Sequence, residues 1–476
     1  MSQSSSAPAS YLNIIPLAGA CDFPGACRPG LGVDENVVFL KRFHFALRRS
    51  YFLLISRIAA TPIYEVKMAF SYHAYLLAEN ITALRRRVGE MREPPLELDA
   101  VPEPAYALFF DEILSATSLE ETMTGLYRVA FPALADAIRV HLAQTNLLVD
   151  QPSVRILKPL AADLEEIMAW GYDTLDKLVQ HGGLEDKIPA WAATFGNYLR
   201  AAGGISGQEP RPSPAPGPLY SKTPFVYDPV PQRDSRFKDP FNSYFVAEEL
   251  LHDPDILPTT KVLLLLFKRF REIDVPEMMA SILYETPDKP WNYYADMTRQ
   301  LWDEARHAIM GEVGFVSKGI DWTRLCVRVN FSYDLNTRHQ PLARHGVLYN
   351  IEKSLMPKTG KRYEWEVSMA AKDPLTATFQ DYDWADEVLH ARIGRDWYVT
   401  QFKTAEEASD FPMIQNVPPV DYKALGYTDL HDWWPEFYLY ACEVTGFPFE
   451  ERAVGQREGG SDPGPSPKPA PVLPAY

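Results

Sequence analysis

Apolar residues recur at intervals of three and four along most of the chain, which is the periodicity of amphipathic α-helices. In the first half the pattern predicts helices over residues 37–58, 64–92, 119–144 and 153–179. In the second half it predicts helices over residues 258–284, 290–314, 341–355, 373–402 and 431–444. Alternating patterns typical of strands are scarce, with residues 325–331 the main ambiguity. The pattern predicts an all-α fold.

Two segments of different composition interrupt this pattern. Residues 205–240 contain nine prolines, a composition that favours an extended linker between two helical parts. Residues 455–476 are rich in Gly, Ser and Pro, which predicts a disordered tail.

The overall composition narrows the classes of function. Apolar residues make up 46% and charged residues 23% of the chain, as in ordinary globular proteins. The formal net charge of −16 argues against nucleic-acid binding, because phosphates would be repelled. The longest strongly apolar run, residues 262–267, is too short to cross a bilayer, and no signal peptide is apparent. The four cysteines lack metal-binding spacing. We therefore expect a cytoplasmic protein that engages neither membranes nor nucleic acids.

The motif Asp-Glu-x-x-His occurs twice, at residues 303–307 and 386–390. In each copy the Glu and the His are three residues apart, so on a helix they share one face. One such pair arises easily by chance, and two exposed salt-bridging pairs are the alternative interpretation. Two copies inside predicted helices of the same half favour metal binding. The pairs are Glu304 with His307, and Glu387 with His390.

A site for two metal ions needs one further carboxylate from each partner helix. The turn before the first motif centres near residue 288, and Glu304 follows it by 16 residues, so its partner at the same level is Glu272. Glu277 is the rival, because it lies on a more continuous apolar stripe, but it would be roughly 7 Å off level. Asp274 also predicts a helix cap that Glu277 would answer. We prefer Glu272 and keep Glu277 open.

The second motif has its own candidate partner, Glu352. It precedes Glu387 by 35 residues, and Glu272 precedes Glu304 by 32. The two half-sites are therefore near-repeats of each other.

This pattern, Glu…Glu-x-x-His…Glu…Glu-x-x-His over residues 258–402, resembles the ferritin-like di-iron carboxylate superfamily. That superfamily includes the small subunit of ribonucleotide reductase, bacterial multicomponent monooxygenases and acyl-ACP desaturases. The resemblance implies that Asp303 and Asp386 receive hydrogen bonds from the ligating imidazoles. The metal ligands that it implies are Glu272, Glu304, His307, Glu352, Glu387 and His390.

The resemblance also implies a function. We expect two iron ions, with manganese as the alternative, and O₂ as co-substrate, because oxygen and nitrogen ligands without thiolate favour these metals. The protein would be a di-iron oxidoreductase that uses an external electron donor and acts on a small molecule or a carrier-bound acyl group; a homodimer is left open. The alternatives are a ferroxidase or iron-binding protein, and a non-catalytic helical scaffold.

Two further residues near the motifs are ambiguous. Asp383, one turn before Glu387, either lines the site or caps the helix. His345, two turns before Glu352, is either an extra ligand or proton relay or an ordinary satisfied histidine.

The domain organisation follows from these assignments. Residues 36–204 form a helical domain, with a degenerate ferritin-like repeat as one interpretation, and residues 246–402 form the ferritin-like di-metal bundle. The remaining segments are an N-terminal extension (1–35), the Pro-rich linker (205–245), a C-terminal helical segment (403–454) and the tail (455–476).

Overall fold

The computed structural model describes residues 11–91, 96–242, 247–414 and 431–454. Within these ranges the regular structure is entirely helical, so the predicted all-α fold is confirmed. The predicted tail and part of the C-terminal helical segment lie outside the described residues. None of the helices in the described ranges is long and apolar enough to cross a membrane.

The chain forms two compact units. The first comprises Met1–Leu54 and His73–Tyr227, and the second comprises Ile55–Tyr72 and Asp228–Tyr476. One division falls inside the Pro-rich segment, and the others fall within two long helices. The second unit therefore includes residues from the first half of the sequence, which local patterns do not indicate.

The helices of the first half of the chain include all those predicted for it, and one of them, Tyr64–Met91, begins in the second unit. The segment predicted as one helix over 119–144 contains a π-helical stretch, Thr124–Ala130, because Pro132 has no N–H to donate to the carbonyl of Arg128. Three of the described helices, Phe23–Ala26, Pro104–Leu114 and Ile188–Ala201, were not predicted. In chain order the helices are α1 Phe23–Ala26, α2 Val33–Ile58, α3 Tyr64–Met91, α4 Pro104–Leu114, α5 Leu119–Met123, α6 Phe131–Gln144, α7 Gln151–Gly182 and α8 Ile188–Ala201.

Among the described residues, the second unit contains every helix predicted for the second half, with shifted ends, and four that were not predicted: Ala247–Leu251, Asn330–Arg338, Lys361–Ala370 and Ala405–Ile414. The ambiguous segment 325–331 forms no strand and leads into the second of these four helices. The helices are α9 Ala247–Leu251, α10 Pro258–Phe270, α11 Asp274–Glu285, α12 Trp291–Ser317, α13 Asn330–Arg338, α14 Pro341–Ser354, α15 Lys361–Ala370, α16 Pro374–Trp397, α17 Ala405–Ile414 and α18 Trp434–Thr445.

The helix predicted over 258–284 is broken in its middle. A 3₁₀ segment, Arg271–Ile273, separates α10 from α11. The physical cause is Pro276, which cannot donate a hydrogen bond to the carbonyl of Glu272 four residues earlier. The break therefore falls at one of the residues expected to bind metal.

Four helices of the second unit close into a ring. Helix α11 packs against α12, α12 against α16, α16 against α14, and α14 against α11. Helix α10 also packs against α12, and the unpredicted α15 packs against both α10 and α16. Fully buried apolar residues of α10 and α12, among them Phe270, Ala305 and Ala308, belong to the largest described core of this unit.

Two glycines allow the motif helices α12 and α16 to approach neighbouring helices closely. A Cβ added to Gly311 on α12 would lie 2.7 Å from the Cα of Phe270. A Cβ added to Gly394 on α16 would lie 2.5 Å from Cδ2 of Tyr349 on α14. Each glycine therefore brings a motif helix against the segment that carries the partner carboxylate, Glu272 or Glu352.

Candidate metal centre

The two motifs lie on α12 and α16, which pack against each other inside the ring. In both helices the Glu and His side chains are buried and face inward, as their spacing of three predicts. His307 and His390 are 0% and 1% exposed. The alternative that these are exposed salt-bridging pairs does not fit this burial.

All six residues named from the sequence come together in this unit. One group that could hold a metal ion consists of Glu304, Glu352, Glu387 and His390, and a second consists of Glu272, Glu304 and His307. Glu304 belongs to both groups and lies between them. A third group joins His307 and Glu387 through Asp383, so Asp383 lines the site and does not cap the helix. The cap of α16 is Asp373.

Glu277, the rival of Glu272, lies in a different network. Its carboxylate forms buried ion pairs with Lys67 and Arg233 and accepts a hydrogen bond of 2.9 Å from the Ser332 hydroxyl. The helix cap predicted at Asp274 is wrong: Asp274 is already helical and binds Arg233. Glu277 therefore neutralises Lys67 and Arg233 and does not form a capping box with Asp274.

The two imidazoles face the carboxylates in the same way. Nδ1 of His307 lies 3.5 Å from one oxygen of each of Glu272, Glu304 and Asp383. Nδ1 of His390 lies 3.1, 3.9 and 3.4 Å from oxygens of Glu304, Glu352 and Glu387. We refer to these sets as the His307 half-site and the His390 half-site. Each consists of one imidazole and three carboxylates, and Glu304 is common to both.

The opposite nitrogen of each imidazole binds the Asp of the other motif. Nε2 of His307 lies 3.1 Å from Asp386, and Nε2 of His390 lies 3.3 Å from Asp303. A carboxylate can only accept here, so each imidazole keeps its proton on Nε2 and directs Nδ1 into the site. The two motifs thus orient each other's histidines.

Two arginines of α12 hold the Asp pair. Arg306 donates to Asp303 at 2.5 Å and to Asp386 at 2.7 Å, and Arg299 donates to both oxygens of Asp303. Burial disfavours the charge of Asp303, but His390 and the two arginines outweigh burial and lower its pKa to about 2. Asp303 therefore stays an acceptor at neutral pH.

Two fully buried cations, which sequence reasoning missed, border the carboxylates. Arg269 binds Glu272 at 2.8 Å and also pairs with Asp383. Lys361, the first residue of α15, lies 2.8 Å from oxygens of both Asp383 and Glu387. No local pattern marks them, since α15 was not predicted and Arg269 follows an apolar run.

The sequence also contains a repeated pattern that marks Gly311 and Gly394 and that the sequence analysis missed. Both motifs extend over nine positions as Asp-Glu-x-x-His-Ala-x-x-Gly, at residues 303–311 and 386–394. The repeated Gly is one turn after each His and makes the close approaches at Phe270 and Tyr349. The internal repeat therefore includes packing as well as the candidate ligands.

The protonation of the site reflects its excess of negative charge. Burial favours neutral imidazoles, but the surrounding carboxylates outweigh it and hold the pKa of His307 and of His390 well above the ordinary value. Burial and the charge of Glu387 raise the pKa of Glu352 well above its usual range. Protons on these groups offset negative charge that a bound cation would otherwise offset.

The residues present fit a pair of metal ions. Among buried polar atoms without a hydrogen-bond partner are Nδ1 of both histidines, Oε2 of Glu272 and Oε2 of Glu387. Buried polar atoms are rarely left in this state, and all four are ligand atoms of a kind that iron or manganese accepts.

His345 lies apart from the carboxylates. Its ring packs against Tyr293 and Tyr398, with centroids 6.1 and 5.5 Å away. It is not a member of the three groups that could hold a metal ion.

Comparisons with protein-family profiles, with curated proteins and with solved structures find no match to this chain.

Proposed function

We propose that this protein is a di-iron oxidase or oxygenase with a ferritin-like bundle, acting on an organic small molecule or a carrier-bound acyl group. One observation carries the proposal: two buried imidazoles each direct Nδ1 at three carboxylates, and they share Glu304. A carboxylate that is common to two half-sites could serve as a ligand to both ions of a metal pair.

The charge of the site supports cation binding. The cluster around the site contains eight carboxylates but only five Lys and Arg side chains. Each member lies within ion-pairing distance of another member or of one of the two histidines. Burying unpaired carboxylates is costly, so the difference favours uptake of divalent ions in exchange for protons. The acids are Glu272, Asp303, Glu304, Glu352, Glu364, Asp383, Asp386 and Glu387, and the bases are Lys268, Arg269, Arg299, Arg306 and Lys361.

The donor set favours redox-active metals. Carboxylates and imidazoles without thiolate suit iron or manganese better than structural zinc. A bound pair of ferrous ions supplies electrons for the reduction of O₂ beside an organic substrate.

The chain's own residues prepare the site for this chemistry. Asp303 and Asp386 hold the protons on Nε2 of the two histidines, so Nδ1 is the nitrogen that would bind a metal ion in exchange for its own proton. The side chains of Glu304, His307, Glu352, Glu387 and His390 are all buried, at most 3% exposed, which limits the access of bulk water to them.

A purely structural charge network is the second candidate. The observation that favours it is that Arg269 and Lys361 already neutralise Asp383. It leaves Glu304 and Glu352 without a Lys or Arg partner among the described residues, so the metal-binding function is preferred.

The test is anaerobic loading with Fe(II) followed by mixing with O₂ in an oxygen electrode. We expect about two Fe per chain and rapid O₂ uptake that depends on the loaded iron. The variant Glu387→Gln should lose both, whereas Glu277→Gln, which alters a buried carboxylate outside the site, should keep both. Wild-type protein that binds no Fe(II) would favour the structural network.

A further inference from the structure

The two half-sites differ in the protein cations that border them. Arg269 contacts two carboxylates of the His307 half-site, Glu272 and Asp383, and none that belongs only to the His390 half-site. Lys361 lies on the boundary, because it binds Asp383 of one half-site and Glu387 of the other. The positive charge of Arg269 and Lys361 is therefore greater on the side of the His307 half-site.

The carboxylates of the His390 half-site have fewer Lys and Arg partners than those of the His307 half-site. The closest polar partner of Glu352 apart from the site itself is the neutral amide of Gln300, at 3.1 Å. Across the described ranges, no Lys or Arg lies within ion-pairing distance of Glu352 or Glu304. Of the three carboxylates around His390, only Glu387 has a Lys or Arg partner among the described residues, and it shares Lys361 with Asp383.

The positive charge beside the His307 half-site is fixed, because Arg269 can neither lose its proton nor move into water. A guanidinium stays charged in proteins, and the Arg269 side chain is 0% exposed. Its other partner, Glu364, lies 3.8 Å away and is paired with Lys268. A metal ion that enters the His307 half-site therefore approaches a fixed positive charge, which weakens its binding.

We propose, on the basis of the di-metal function above, that the two metal positions fill in order, the His390 half-site first and the His307 half-site second, because Arg269 already neutralises part of the latter. The two positions are then unequal in affinity although the motifs that build them are near-repeats. This inequality gives the protein a state with one metal ion bound next to His390.

The direct test is an anaerobic titration of the full chain with Mn(II), followed by electron paramagnetic resonance. We expect the first equivalent to give the six-line signal of an isolated bound Mn(II), and the second to replace it with the signal of a coupled pair. The two dissociation constants should differ by about tenfold or more. The order is assigned with two variants: His307→Ala should keep the tight position, and His390→Ala should keep only the weak one.

The role of the guanidinium is tested by Arg269→Gln, which removes the charge and keeps hydrogen-bond donors. The ratio of the two dissociation constants should shrink at least about threefold. Arg233→Gln is the matched control, since Arg233 is also a buried arginine paired with two carboxylates, Asp274 and Glu277. That variant should leave the ratio as in wild type. If Arg269→Gln does not fold, the two histidine variants still decide the order.

Four results would overturn the inference. Pairwise filling from the first equivalent, or loss of the tight position in His307→Ala, contradicts the order but leaves the di-metal function standing. An unchanged ratio in Arg269→Gln contradicts the proposed cause. If the wild-type protein binds no Mn(II) or Fe(II), the inference and the proposed function fail together.

Discussion

Nε2 of His307 lies 3.1 Å from the carboxylate of Asp386, although the two residues belong to different motifs on different helices. The reverse pair, His390 with Asp303, repeats the contact at 3.3 Å. Each Asp-Glu-x-x-His motif therefore supplies a candidate ligand and also orients the histidine of the other. This exchange explains why the Asp is present in both copies.

The exchange predicts that Asp303→Asn and Asp386→Asn weaken metal binding. An amide lacks the negative charge that stabilises the proton on Nε2, so we expect a loss of about 10- to 100-fold in affinity. Equilibrium binding of Mn(II) measures this loss. Asp296→Asn is the control, because Asp296 is on the same helix but binds Nε1 of Trp397. Equal affinity in all three variants would show that the contact does not orient a ligand.

The positions of Glu272 and Glu277 predict opposite behaviour of two variants of similar chemistry. Glu272→Gln should lower the metal content, since its carboxylate faces His307. Glu277→Gln should keep the metal but lower the free energy of unfolding by about 3 kcal/mol, because it breaks buried ion pairs with Lys67 and Arg233. Metal analysis and denaturant unfolding distinguish them. Metal loss in Glu277→Gln alone would mean that the rival ligand was the correct one.

The close approach at Gly311 predicts that a single methyl group disturbs the site. In Gly311→Ala the new Cβ meets the backbone of Phe270, so α12 must move away from the segment that carries Glu272. We expect a loss of about 1–3 kcal/mol of stability together with lower metal content. Gly196→Ala, whose new Cβ would have its nearest neighbour at 3.5 Å, is the control and should cost nothing. Full metal content in Gly311→Ala would contradict the positioning role.

A histidine in the first unit predicts a pH dependence of stability. His73 is buried against Tyr127, 2.8 Å from its hydroxyl, and burial lowers its pKa to about 3. Because the unfolded chain takes up this proton near pH 6.5, the stabilisation is complete above that pH and falls as the pH drops towards 3. Between pH 6.5 and 4.5, wild type should lose about 2 kcal/mol more than His73→Phe. Parallel unfolding curves of the two proteins over this range would refute the assignment.

The sequence predicts the candidate metal ligands better than it predicts the residues that surround them. Residues at helical spacing, such as Glu304 with His307, share a face wherever the helix lies, so local pattern suffices. Glu272 is found by its distance from a turn, because residues equally far from a turn lie level on antiparallel helices. The predicted cap at Asp274 failed because its partner Arg233 is remote in sequence.

The buried cations show why the rest is not predictable from local pattern. Lys361 begins a short helix of ten residues that was not predicted, and its partners Asp383 and Glu387 come from another helix. Arg269 comes two residues after a run of four leucines and a phenylalanine, residues 263–267, yet it is as buried as they are. The burial of a Lys or Arg depends on an acid that the fold brings to it, and that partner is not a local feature.

The most direct test of the di-metal centre is Mössbauer spectroscopy of protein loaded anaerobically with ⁵⁷Fe(II) and then exposed to O₂. The shared carboxylate of Glu304 predicts an antiferromagnetically coupled diferric product, which appears as a quadrupole doublet without magnetic splitting at low temperature and weak field. Isolated high-spin ferric ions, or iron that is removed by desalting, would contradict a dinuclear site.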